Sequence, residues 1–138
     1  MDLLETTRGR FVVQASAAYT SAQGSHYAPG ISAESVGARS LFLGVITLPP
    51  GERTRAHVHA GHESAHYMLS GDEVELWTGA RLEHRDVARP GDYLFIPAGM
   101  PHVAVNRGRA PAVFIGTRNE ASAQESVVLL PQLDALVP

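Results

Sequence analysis

The stretches GERTRAHVH, residues 51–59, and GDYLFIPAGMPHVAVN, residues 91–106, decide how this chain folds. In the first, the spacing predicts a strand over Thr54–His59. Alternate side chains of a strand share a face, so Arg55, His57 and His59 are expected to point one way and Thr54, Ala56 and Val58 the other. In the second, a strand over Tyr93–Ile96 is followed by a Pro-rich turn, Pro97–Pro101, and a further strand over His102–Asn106. His102 thus adds a third imidazole. Two surface histidines would account for the H-x-H pair alone, but a third on another strand favours a shared ion. Imidazole suits Zn, Fe, Ni, Mn or Cu, and three protein ligands with open positions is a catalytic arrangement.

Outward from these stretches, short runs rich in β-branched and aromatic residues alternate with Gly, Pro and Asp. Strands are expected at Phe11–Ala15, Ser40–Leu48, Ser64–Ser70, Glu73–Thr78, Leu82–Ala88, Ala112–Arg118 and Ser126–Leu130. Turns fall at Pro49–Gly51, Gly71–Asp72, Pro90–Asp92 and Arg107–Pro111. Many short strands at this spacing indicate a sandwich or barrel. Residues 16–37, small and polar, read as a long loop or arm, and Gln132–Val137 as one weak helical turn.

A chain of 138 residues fits one domain, residues 1–138. With 44% hydrophobic and 18% charged residues it is suited to a packed core. Net charge is −3 with no basic block, which argues against nucleic acid. No apolar run approaches the roughly 20 residues of a membrane span. The opening MDLLETTRGR lacks the apolar core of a signal peptide, so the expected location is cytoplasmic. The absence of cysteine removes disulfides and thiolate ligands. All 11 basic residues are arginine, so Schiff-base chemistry on a lysine is excluded.

In these residues the chain resembles the cupin superfamily. The family's first motif is matched by Gly51, His57, His59, Glu63 and Gly71, and its second by Gly91, Pro97, Gly99, His102 and Asn106. The tail, TRNEASAQESVVLLPQLD, is similar to that of small stand-alone bacterial cupins. The resemblance implies an all-β double-stranded β-helix, a jelly-roll-like barrel whose mouth holds one divalent metal ion (Zn, Fe, Ni or Mn) on His57, His59 and His102, with Glu63 as a fourth ligand. The register of that carboxylate is open. Counting back from Gly71 puts Ser64 at the family's ligand position and Glu63 one residue away. Gly61 would let a tight loop swing Glu63 in, whereas a one-residue slip would send its side chain to the opposite face.

Ser64, His66 and Met68 share one face of their strand and Ala65, Tyr67 and Leu69 the other, so His66 is expected to line the metal cavity, and the apolar face to pack against protein. Arg55 is a candidate clamp for a substrate carboxylate, with a surface arginine at the barrel mouth as the other reading. Tyr93 and Phe95 are expected in the core, Asn106 in a structural role, and His26 and His84 in solvent; His62 reads as a solvated loop residue, with a ligand as the alternative. Nothing in the sequence ties Glu120 or Glu125 to the site. The expected function is that of a metal-dependent cupin, an enzyme acting on a small anionic or chelating organic molecule, with catalytic roles for His66 and Arg55. A non-catalytic cupin that senses or sequesters a small molecule or metal is the alternative. The expected partners are that small molecule and, because the apolar edges of such barrels often pair, a second copy in a homodimer. Neither nucleic acid nor a membrane is expected.

Overall fold

The computed structural model describes residues 11–138, and the opening MDLLETTRGR lies outside the described residues. The strands expected on apolar patterning form, with small shifts at their ends. They are β3 (Phe42–Leu48), β4 (His57–Val58), β5 (Ser64–Ser70), β6 (Val74–Thr78), β7 (His84–Ala88), β8 (Tyr93–Ile96), β9 (His102–Val105), β10 (Ala112–Arg118) and β11 (Val128–Leu129). Before them come β1 (Tyr19–Thr20), β2 (His26–Ile31) and the single-turn helix α1 (Ala33–Val36). A 3-10 turn, Pro131–Leu136, follows. Two antiparallel sheets result, six-stranded in the order β1-β2-β3-β10-β5-β8 and five-stranded in the order β11-β4-β9-β6-β7. No helix among the described residues is long and apolar enough to cross a membrane.

Apolar side chains from the facing sides of the sheets make the main core. Tyr27, Phe42, Ile46, Met68, Leu94, Ile96 and Phe114 come from the first sheet, and Val74, Leu76 and Ala88 from the second. A second cluster lies on the outer side of the five-stranded sheet, where Ala56, Val103 and Val105 pack with Leu82, Leu133 and Val137. The C-terminal segment covers this face and is tied down by backbone contacts. Asp134 accepts from the Ala56 amide at 2.7 Å, the Leu130 amide donates to the Ala56 carbonyl at 2.8 Å, and Arg53 donates to the Val137 carbonyl at 2.8 Å.

Three expectations are overturned. Residues 16–37 are not a loop, for they carry β1, β2 and α1. Pro29 and Gly30 look like strand breakers, yet β2 pairs with β3 through a register shift between Pro29 and Ile31 that absorbs them. Phe11–Ala15 forms no strand, and Phe11 and Val12 are exposed. On β8 the phase is the reverse of the expected one: Leu94 and Ile96 point inward, while Tyr93 is 82% exposed and Phe95 59%. Alternation identifies two faces but does not say which one is covered.

The second motif owes its glycines to backbone geometry. Gly91 and Gly99 have φ of +98° and +76°, a left-handed conformation that other residues enter at a cost. The Gly99 amide donates to the His59 carbonyl at 2.8 Å, tying the turn to the first motif. Asn106 closes the other end. Its amide donates to the carbonyls of Leu48 and Ala110 at 2.9 and 3.0 Å, and its oxygen accepts from the Gly108 amide at 2.9 Å. Asn106 is 1% exposed, so Asn106→Ala would strand these groups without water. Urea denaturation is expected to show a loss of about 2–3 kcal/mol, given ~1–3 kcal/mol for each unsatisfied buried group. A loss below about 0.5 kcal/mol, the size of an ordinary surface substitution, would contradict this structural role.

Candidate metal centre

His57 lies on β4 directly opposite His102 on β9. Their rings are 4.1 Å apart between centroids, and His59 lies 4.9 and 5.2 Å from them. All three residues are buried, and they offer ligand atoms within 4.8 Å of one another. Each ring uses one nitrogen on a backbone carbonyl. His57 Nδ1 donates to the Arg55 carbonyl at 2.5 Å, His59 Nδ1 to the Ser126 carbonyl at 2.9 Å and His102 Nδ1 to the Met100 carbonyl at 2.9 Å. A carbonyl only accepts, so each Nδ1 must carry the hydrogen. Each Nε2 is then a free lone pair, the form in which imidazole ligates a metal.

Electrostatics favours the same state. Burial pushes the His57 imidazole down to about 4 and holds His59 below its usual range. For His102, burial and then the neighbouring His57 act in the same direction. The rings are therefore neutral at pH 7, and a cluster of neutral nitrogen donors fits a divalent cation of the zinc, iron, nickel or manganese class.

The cavity beneath the cluster is lined mainly by apolar side chains of the main core, among them Ile46, Leu94, Ile96 and Phe114. His66 lines it too, as expected, from β5 on the facing sheet. Burial pushes its imidazole down to about 4. Opposite it stands Gly116 on β10, where a Cβ would lie 2.9 Å from the His66 ring, so the absent side chain makes room for the histidine.

Arg55 does not share the cavity face with the histidines and takes the surface position, not that of a clamp. Its side chain is exposed, and Thr54, His57 and His59 line the cavity instead. Strict alternation fails here because regular strand pairing on β4 covers only His57 and Val58. Glu63 is also exposed and lies outside both clusters of metal-type side chains, while Ser64 is buried and lines the cavity. The slip of one residue thus turns Glu63 to the outer face. Its amide donates to Asn119 Oδ1 at 2.9 Å. His26 and His84 are on the surface, as expected.

His62 and Glu125 are where the sequence misleads. His62 is 2% exposed, against the favoured reading of a solvated loop residue. Its Nε2 donates to Glu125 Oε2 at 2.8 Å. Glu125 lines the cavity with a 4% exposed side chain, and His59, His62 and Glu125 form a second cluster of metal-type ligands. Glu125 also accepts from Tyr27 Oη at 2.8 Å and faces Arg118 at 3.8 Å. Burial alone would raise its carboxyl, but His59, Arg118, His62 and Tyr27 together hold it below the usual carboxylate range. The short strand β11 delivers it: Val128 pairs with Val58 and Leu129 with His57, which lays the preceding residues beside His59. The expected strand at Ser126–Leu130 was the one sequence signal, but its pairing partner is not written locally.

The cupin domain family model matches residues 44–117, which include all three histidines. The chain belongs to the cupin family. A curated relative of this cupin is the tetracenomycin polyketide synthase protein TcmJ of Streptomyces glaucescens, 37% identical over 103 residues. The match covers 73% of this cupin and 65% of TcmJ, so the chain spans just under two thirds of that relative. Among solved structures, an uncharacterized conserved protein with a double-stranded β-helix domain from Klebsiella pneumoniae superposes with a TM-score of 0.61 at 17% identity, covering 94% of each chain. A mutant of Bacillus subtilis oxalate decarboxylase superposes with a TM-score of 0.67 at 22% identity, over 89% of this cupin and 32% of that enzyme. These likenesses establish the double-stranded β-helix.

Neutral buried histidines make stability pH-dependent. His57 and His66 titrate near 4 when folded, against 6.5 for an unperturbed histidine. Between those values the unfolded chain binds more protons, so stability rises with pH across the window. It is fully present above about 6.5 and is lost as pH falls toward 4. Glu125, depressed below its usual range, loses its contribution only at lower pH. Urea midpoints of metal-free protein should therefore fall steadily from pH 6.5 to 4.5, with a shallower slope in His66→Gln. A flat profile would contradict neutral burial of these rings.

Proposed function

We propose that this cupin holds one divalent metal ion on His57, His59 and His102 and acts as an enzyme on a small organic molecule that chelates the ion through oxygen atoms. The carrying observation is the set of three Nδ1–H groups engaged by backbone carbonyls, which leaves three Nε2 lone pairs for a cation. A bound metal would supply Lewis acidity to an enolisable or oxygen-reactive ligand. The apolar wall of Ile46, Leu94, Ile96 and Phe114 favours a substrate with an apolar body. With Arg55 outside the cavity and Arg118 facing Glu125, no carboxylate clamp is evident among these arginines, which favours a neutral chelator over a simple anion. TcmJ is by name a polyketide synthase protein. A polyketone combines an apolar body with enolisable oxygens, so β-dicarbonyl and phenolic chelators are the first substrates to test. His66 lines the cavity from the other sheet, which supports a role for it in hydrogen-bonding the bound molecule.

Elemental analysis of tag-free protein incubated with Zn, Fe(II), Ni or Mn(II) should give about one metal per chain. His57→Ala, His59→Ala and His102→Ala should each weaken binding by more than the roughly 10–100-fold typical of losing an outer partner of a ligand. Circular dichroism should show the barrel intact, because its packing comes from apolar faces. Stoichiometry near zero for the wild type overturns the metal reading. Oxygen uptake or product formation by the loaded protein on the chelator panel, absent in His57→Ala, supports an enzyme. Tight ligand binding without turnover selects the sensing or sequestering alternative.

We also propose that two copies pair through the outer face of the six-stranded sheet. Among the described residues nothing covers this face, so the protein that the sequence leads one to expect against it would be a second copy. The registers align Val45, Ile115, Tyr67 and Tyr93 in one row and Leu43, Thr117, Ala65 and Phe95 in the next. Neither row holds an Asp, Glu, Arg or His, so a twofold contact of the patch with itself brings no like charges together. Light scattering at micromolar concentration should give a dimer, and Tyr93→Glu with Phe95→Glu should give a monomer. A monomeric wild type contradicts this pairing.

A further inference from the structure

We propose that Glu125, carried in by the C-terminal tail, is the carboxylate of the metal centre, in place of the carboxylate of the first motif. The proposal rests on the metal reading above. Glu63 is turned outward, and Ser64 stands at the buried position that the motif register assigns to a ligand. The carboxylate that does line the cavity with His57, His59, His66 and His102 is that of Glu125. Its Oε2 lies 3.5 Å from His59 Nδ1 and 2.8 Å from His62 Nε2, and the ligand atoms of His59, His62 and Glu125 fall within 4.8 Å of one another. His59 belongs to both clusters, so the carboxylate adjoins the three-histidine set from the Nδ1 side of His59 without itself being one of that set.

A buried carboxylate is costly to desolvate unless a cation compensates it. Arg118 compensates it only in part. The Arg118 Nε stands 3.8 Å from Glu125 Oε2, beyond hydrogen-bond reach, and finds no hydrogen-bond partner among the described residues. The guanidinium is instead engaged by the carbonyls of Ser122 and Ala123 and by the Phe42 ring, 3.7 Å away. A divalent ion on neutral imidazoles would add to the compensation that Arg118, His62 and Tyr27 already give, and the carboxylate would in turn offset the ion. His62 and Tyr27, bonded to the two oxygens, are positioning residues for it.

Co(II) titration of metal-free protein, followed by calorimetry and visible absorption, tests the assignment. Glu125→Gln is expected to weaken Co(II) binding at least tenfold and to change the visible bands, and Glu63→Gln to leave both as in the wild type. A purely structural Glu125 would shift the melting temperature and leave the Co(II) spectrum unchanged, which overturns the proposal. Should Glu125→Gln fail to fold, Mn(II)-loaded Glu63→Gln protein carrying ¹³C at its glutamate carboxyls decides: a ¹³C hyperfine coupling to the metal supports Glu125, and its absence overturns it. If wild type binds Co(II) and His57→Ala does not, an unaffected Glu125→Gln sinks this inference alone. If wild type binds no metal, the functional reading falls with it.

Discussion

The carbonyl groups of Arg55, Met100 and Ser126 decide what the centre of this protein can do, because each accepts a hydrogen bond from the Nδ1 of one of three clustered histidines. Each bond sets a tautomer and a ring orientation together. The carbonyls come from three distant parts of the chain, so the donor set exists only while β4, β9 and the tail hold their register. Strand pairing sets it: His57 opposite His102 on one side of β4, and Leu129 opposite His57 on the other. The turn after β8 adds a further tie, from the Gly99 amide to the His59 carbonyl. The motif positions therefore serve the backbone as much as the histidine cluster.

The tail is the less expected contributor. It covers the outer face of the five-stranded sheet with apolar side chains, and in running there it passes His59 and the cavity. That route brings the Ser126 carbonyl to His59 and the Glu125 carboxylate into the cavity. One segment thus contributes packing on one side of the sheet and polar groups on the other. A charge so placed belongs to a network of Tyr27, His62 and Arg118, and its energetics cannot be assigned to a single pair.

The two sheets differ in their outer faces. Where the tail covers the five-stranded sheet, Trp77, Val103 and Val105 find partners within the chain. Among the described residues no such cover lies over the six-stranded sheet, and its outward row of Val45, Ile115, Tyr67 and Tyr93 stays open to solvent or to another surface. Exposed apolar patches of this kind mark interaction sites. The cavity and this face lie on opposite sides of the same strands: on β5, His66 and Met68 look inward while Ala65 and Leu69 look outward.

The sequence by itself determined the strands from Phe42 to Arg118, the three histidines and the motif glycines, because each rests on local chemistry: period-two patterning, turn residues and fixed spacing. It also placed His66 correctly on the cavity face. Tertiary structure alone decided the rest. Arg55 was assigned to the cavity face by an alternation that the short β4 does not keep. Tyr93 and Phe95 were assigned to the core because a strand's pattern shows two faces without showing which one another layer covers. Residues 16–37 hid β2 because Pro29 and Gly30 are tolerated only through the register shift against β3. Glu125 was invisible for the plainest reason. It lies 63 residues along the chain from its partner His62, and only the pairing of β11 with β4 closes that distance.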